Sequence, residues 1–265
     1  MKKILILSLI VMFAMTACKK TEIIIPDPPA FLDAKQVQWG LAINYTAKWC
    51  SPCGSWGAPL IHQLDGMGKV VTVTNHASGD PMYNATLYNG MSADRPTGGG
   101  IPSFWVGDVK TSSSSSSSSM TNLLSQTPIA GLDVKKHRSG SSMKIAVQVK
   151  FFSAGSGDYY LSIWLLESGI DGSSSAGAYA QNGASDPNYK HDFVFRDAYN
   201  SAVYGEKIFT NPTAGKVYEN VVSMSVNSSW TNQMYVAACL WKFDPNGNPQ
   251  NNNPRYKFVN GFVVK

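Results

Sequence analysis

The chain has 265 residues, enough for two domains, and its 43% hydrophobic content can fill real cores, which argues against global disorder. Charged residues make up 15%, against a usual quarter, and Ser, Gly, Asn and Tyr take their place, a mix that favours a β-rich exported protein over a charged helical cytosolic one. The net charge of +5 includes Lys2 and Lys3, and no basic run interleaves with aromatics, so no nucleic-acid groove is expected.

In chain order, Lys2-Lys3 forms a positive start, residues 4–15 are apolar apart from Ser8, and Thr16-Ala17 places small residues before Cys18. This pattern predicts a signal peptide over residues 1–17. The apolar run is far shorter than the roughly 20 residues that cross a bilayer. Met15-Thr16-Ala17-Cys18 resembles a bacterial lipobox, with Met15 where Leu is usual. The resemblance implies a lipid on Cys18 and a membrane anchor through it, and Lys19 favours the outer membrane. A plain signal peptide with an incidental Cys is the alternative. Residues 18–34, with Pro26, Pro28 and Pro29, read as a semi-stiff tether.

Residues 37–45 read as a strand, followed at once by Cys50 and Cys53 and a helix to about residue 64. The β-branched run 69–75 predicts a second strand, 81–90 a short helix, 97–100 a loop and 101–106 a third strand. The eight serines at 112–119 predict a solvated linker, and 120–125 a helical turn. After Pro128 the periodicity changes to two. Ile145, Val147, Val149 and Phe151 share a face, as do Tyr159, Leu161, Ile163 and Leu165. Val222, Met224 and Val226 form a third such face, and Met234, Val236, Ala238 and Leu240 a fourth. Six to eight strands in an antiparallel sandwich are expected, with no helix. The chain thus divides into an α/β domain over 35–127 and an all-β sandwich over 128–265.

Trp49-Cys50-Ser51-Pro52-Cys53 carries the chemistry. Thiol–disulfide exchange needs a thiolate that attacks and a second thiol close enough to resolve the mixed disulfide. A Cys at a helix N-terminus has its thiolate favoured by free amides and the macrodipole. Cys50 is therefore the expected nucleophile and Cys53 the resolving thiol; the chemistry calls for no cofactor. Two other readings of the pair stay open. Zinc needs four ligands, and only Cys239, His62 and His76 remain as donors, without a recognisable spacing. A structural disulfide is the second.

The motif follows a strand, opens a helix and precedes Gly100-Ile101-Pro102-Ser103-Phe104 by about fifty residues. This resembles the thioredoxin superfamily over about residues 35–126. The resemblance implies a cis Ile101–Pro102 bond and a substrate-docking surface of Trp49, Ile101 and Pro102. It also places Asn44 where thioredoxins bury an Asp, and Pro59 one residue late. The whole chain resembles the outer-membrane-protein-28-related lipoproteins of Bacteroidetes. That likeness rests on the lipobox, residues 45–50 with the CxxC, Val73-Thr74-Asn75-His76, the Pro102 segment, residues 191–196 and the strands around 236–241. It implies a thioredoxin-like domain followed by an immunoglobulin-like β-domain, held at the outer membrane.

Cys239 sits between apolar neighbours and reads as a buried structural residue. His76 and His191 read as local packing or turn groups. Residues 244–248 mimic the start of a calcium loop, but Arg255 stands where the bidentate Glu belongs. Two functions follow: thiol–disulfide exchange on exported proteins, or a non-enzymatic surface-binding module whose disulfide only braces the fold. In the second, Trp164, Tyr179, Tyr189 and Trp230 are candidate contacts with a surface partner.

Overall fold

The structure, a computed structural model, describes residues 31–265. The expected signal peptide, Cys18 and most of the expected tether lie outside the described residues.

The N-terminal half builds strands β1 (Gly40–Thr46), β2 (Val70–His76), β3 (Ser103–Val106) and β4 (Val109–Thr111), with helices α1 (Ala58–Gly66), α2 (Ala85–Asp94) and α3 (Ser116–Leu124). β1 lies parallel to β2 and antiparallel to β3, which pairs antiparallel with β4. All seven residues of β1 and of β2 are buried, because both faces are covered. Ala42, Val70, Phe104 and Val106 meet Leu60, Ile61 and Leu64 of α1 and Met120 of α3 on one face. Leu41, Ile43, Tyr45, Val71 and Val73 meet Leu87 and Met91 of α2 on the other.

The C-terminal half contributes β5 (Ala130–Ser139), β6 (Ser142–Phe151), β7 (Asp158–Ser168), β8 (Ile170–Asp171), β9 (Lys190–His191), β10 (Val194–Ala198), β11 (Glu206–Thr210), β12 (Val217–Ser225), β13 (Gln233–Phe243) and β14 (Tyr256–Val264). Ten strands replace the expected six to eight; β8 and β9 are a two-residue pair too short to carry a hydrophobic period. The four sequence-read faces, from Ile145, Tyr159, Val222 and Met234 onwards, enter one core between the three-stranded sheet β12-β6-β5 and the large sheet.

That large sheet runs β14-β13-β7-β10-β2-β1-β3-β4, with β11 also on β7. Strands from both sides of Pro128 therefore share one mixed sheet. The alternate residues of β7 and β13, Trp164, Leu166, Ala237, Cys239 and Trp241, join Leu41, Ile43 and Tyr45 in a core common to both halves. Arg95, fully buried at the end of α2, fastens it. Its guanidinium donates to Asp94 at 2.9 Å, Asp108 at 2.7 Å and the Tyr256 carbonyl at 2.7 Å, and lies 4.8 Å over the Trp241 ring.

The serine run corrects the linker expectation. Ser112–Ser115 fold into a turn of mutual hydrogen bonds, and Ser116–Ser119 open α3. Ser116 is buried, its hydroxyl bonding the Ser112 carbonyl at 2.7 Å and the Thr111 hydroxyl at 2.8 Å. Serine is a weak helix former, so this helix depends on tertiary burial of Met120, with Leu123 and Leu124 packed beside it.

Candidate functional site

β1 delivers the chain at Thr46 to a short turn in which the Cys50 amide donates to the Ala47 carbonyl at 3.1 Å. The chain then coils. Cys53–Gly57 forms a π-helical turn, closed by the Ala58 amide on the Cys53 carbonyl, before α1 begins. Pro59 explains the widened turn: it has no amide hydrogen for Ser55, and its ring would press on the Ser55 carbonyl. A simple α-helix from residue 53 was expected; the proline one residue late replaces its first turn with a π turn.

Cys50 and Cys53 are disulfide-bonded, with Cα atoms 5.2 Å apart. The Cys53 amide lies 3.2 Å from Cys50 Sγ, and the Ile101 carbonyl 3.6 Å from it. In the disulfide that sulfur has no hydrogen, so the Ile101 carbonyl is a contact; in the dithiol it is an acceptor. The Ile101–Pro102 bond is cis. Cys50 is 6% exposed and Cys53 1%, whereas Trp49 and Trp56 are 46% and 40% exposed. The Ile101 carbonyl thus lies beside the Cys50 sulfur and Pro102 lies against Gly57, while Trp49 and Trp56, the second passed over by the sequence reading, are exposed on either side of the two cysteines in the chain.

Beneath the motif lies a polar layer. His76 Nδ1 and Asp80 Oδ2 are 2.8 Å apart and fully buried. The same carboxylate accepts from the Lys48 amide at 2.6 Å and, through Oδ1, from the Met82 amide at 2.8 Å. Burial works against the Asp80 charge, but His76 and the two amides outweigh it and hold the carboxyl below its usual range. His191 Nε2 meets the Tyr179 carbonyl at 2.7 Å, so that nitrogen carries the hydrogen. Burial, with the neighbouring His76, lowers His191 to about 4. Asn44 is 1% exposed, and its Oδ1 has no partner among the described residues. It lines, with Thr46, His62, His76 and His191, a cavity of about 10 Å³, the size of one water.

Cys239 is not brought to the pair. It lies in the shared core, fully buried, and burial pushes its thiol far up. Trp164 is core, while Tyr179 is 37% exposed.

Sequence reasoning missed residues that hold the backbone leading into the motif. The excursion between β8 and β9 brings Gln181 and Asn182 onto the turn before Cys50. Asp80 was missed as well. Gln181 and Asn182 carry no local pattern, since each acts on backbone far away in sequence, whereas Asp80 pairs with His76 and the Met82 amide nearby and reaches the Lys48 amide only through the fold.

A family model described as "Outer membrane protein Omp28" matches residues 103–245, more than half of the chain. The chain belongs to this outer membrane protein family. Membership makes it a protein of the cell envelope. The matched segment starts just after Pro102, so Cys50 and Cys53 fall outside it. Among solved structures, HBP35 of Porphyromonas gingivalis, from the Bacteroidetes, is similar with a TM-score of 0.68 at 13% identity, over 88% of this chain and 76% of that one. At that identity the likeness concerns the fold. Among curated proteins none matches.

Proposed function

We propose that this Omp28-family chain is an outer-membrane lipoprotein, anchored through Cys18, that exchanges thiols and disulfides with exported polypeptides at Cys50–Cys53. The reading treats residues 35–127 as a thioredoxin-like unit, supported by the β1-α1-β2 parallel pair with helices on both faces. It treats residues 128–265 as an immunoglobulin-like sandwich, supported by the core between two sheets.

One observation carries the chemistry: the Cys50 sulfur sits at a helical N-terminus with the Cys53 amide 3.2 Å away. That donor stabilises a thiolate. In the reduced chain the Cys50 thiolate attacks a substrate disulfide, forming a mixed disulfide and releasing one substrate thiolate. Cys53, deprotonated, then attacks Cys50 Sγ. The mixed disulfide breaks, the second substrate thiolate leaves and takes up a proton, and two electrons have passed to the substrate. The pair is left as the disulfide described above. Run backwards, the same steps oxidise a substrate dithiol. Trp49 and the Ile101–Pro102 backbone are the docking surface.

Equilibration of the purified chain with dithiol couples of known potential tests this. A midpoint within about −120 to −270 mV, with turnover on insulin, supports exchange. A pair more reducing than about −300 mV and inert to insulin sinks it. The second reading, a surface-binding module braced by the disulfide, draws on the family match that excludes the cysteines.

A further inference from the structure

The four carbonyls that lead into the redox motif, Ala47 to Cys50, are all held by two consecutive residues from the other half of the chain. Gln181 Nε2 donates to the Ala47 carbonyl at 3.3 Å and the Cys50 carbonyl at 3.1 Å. The Asn182 amide donates to the Lys48 carbonyl at 2.7 Å, and Asn182 Nδ2 to the Trp49 carbonyl at 3.1 Å. The approach is as close as backbone allows. A Cβ on Gly54 would stand 2.2 Å from the Asn182 carbonyl, and a Cβ on Gly183 2.2 Å from the Ser51 carbonyl. Gly183 also has φ +76°, a conformation that L side chains disfavour. Gln181 is 8% exposed, and its own amide is tied to the Gly172 carbonyl at 2.9 Å, so the side chain is aimed by the root of the excursion.

We infer that Gln181 is a positioning residue of the redox site: its amide group fixes the Cys50 backbone and directs its positive end towards the sulfur's residue, favouring the thiolate. The argument is electrostatic. The Nε2 hydrogens face the carbonyls of Ala47, Cys50 and Asn182, with Oε1 unpartnered among the described residues. The opposite orientation would set an oxygen against three oxygens. A donor group bonded to the Cys50 carbonyl, in a site where Cys50 is buried, acts in a low effective dielectric. The site built by the first half is therefore completed by the second. The inference rests on the exchange reading for its function, but not for its measurement.

The test uses the full chain with Gln181→Glu and Gln181→Met. An external dithiol, dithiothreitol, reduces the Cys50–Cys53 disulfide, giving two thiols and its own cyclic disulfide with two electrons transferred. Two quantities are read: the pH profile of Cys50 alkylation by iodoacetamide, and the equilibrium constant with dithiothreitol. Q181E removes the donor and introduces like charge; the alkylation profile is expected to move to higher pH, with the rate at pH 7 falling at least threefold and the equilibrium moving at least threefold towards the disulfide. Q181M should shift both in the same direction by less, and it carries the test if Q181E does not fold. A merely structural Gln181 would lower stability in urea and leave both quantities within twofold of the parent; that result overturns the inference. Shifted variants in a parent that fails to turn over insulin would keep the positioning role and remove the exchange reading.

Discussion

Val194 of β10 pairs in parallel with Thr74 of β2, and this one register position carries the large sheet from one half of the chain to the other. The Thr74 amide donates to the Phe193 carbonyl at 2.8 Å and its hydroxyl to the Asp192 carbonyl at 2.7 Å. A chain cut after residue 127 bares this edge of β2 and the apolar face that Val71 and Val73 share with Trp164 and Trp241. Unpaired edges recruit other chains. A fragment of residues 35–127 is expected to aggregate or to lose a sharp urea transition. Size-exclusion chromatography and urea titration check it; a monomeric, cooperative fragment would refute the coupling.

Arg95 predicts a large stability effect. Arg95→Leu leaves Asp94 and Asp108 without their cation and the Tyr256 carbonyl without a donor, all beneath Trp241. Breaking one member of a buried charged network costs about 3–5 kcal/mol. The loss should appear as a lower urea midpoint at unchanged slope.

His191 gives the protein an acid-sensitive window. Its ring is held neutral down to about 4, against an ordinary value of 6.5. Between those values the unfolded chain binds a proton that the folded chain refuses. The contribution is complete above pH 6.5 and is lost as pH falls towards 4, to a limit of about 3 kcal/mol. His191→Gln, whose amide N–H can take the place of Nε2–H on the Tyr179 carbonyl, should flatten the stability profile across that window. An unchanged slope counts against the assignment.

The thiols should separate by reactivity. In the reduced, folded chain, iodoacetamide is expected to modify Cys50 and spare Cys239, whose thiol burial keeps protonated. Mass mapping of alkylated peptides with and without urea reads this; native labelling of Cys239 would contradict the core placement.

Strand faces were legible because a half-buried strand writes its geometry as period two, and the runs from Ile145, Tyr159, Val222 and Met234 all reach the core they predict. The CxxC at a helix start and the Ile101–Pro102 segment were legible as short motifs. The serine helix was not, since its stability lies in Met120, Leu123 and Leu124 and not in serine. The joining of the halves was hidden in β10, five residues long with one pairing to β2. Gln181 and Asn182 were hidden for a different reason: polar residues in a loop reveal no partner when that partner is backbone 131 or more positions earlier.

Asn260 of β14 has a consequence for how the protein is made. Its side chain donates to the Val37 carbonyl at 2.9 Å and the Ala130 carbonyl at 2.7 Å, and accepts from the Trp39 amide at 2.8 Å. A chain synthesised from its N-terminus must hold residues 37–39 open until Asn260, more than 220 residues later, has emerged. Closure over such a span is slow, and the half-finished sheet is the state most exposed to proteases and to its neighbours. The seal over residues 37–39 is therefore among the last contacts that β14 can supply to the growing chain.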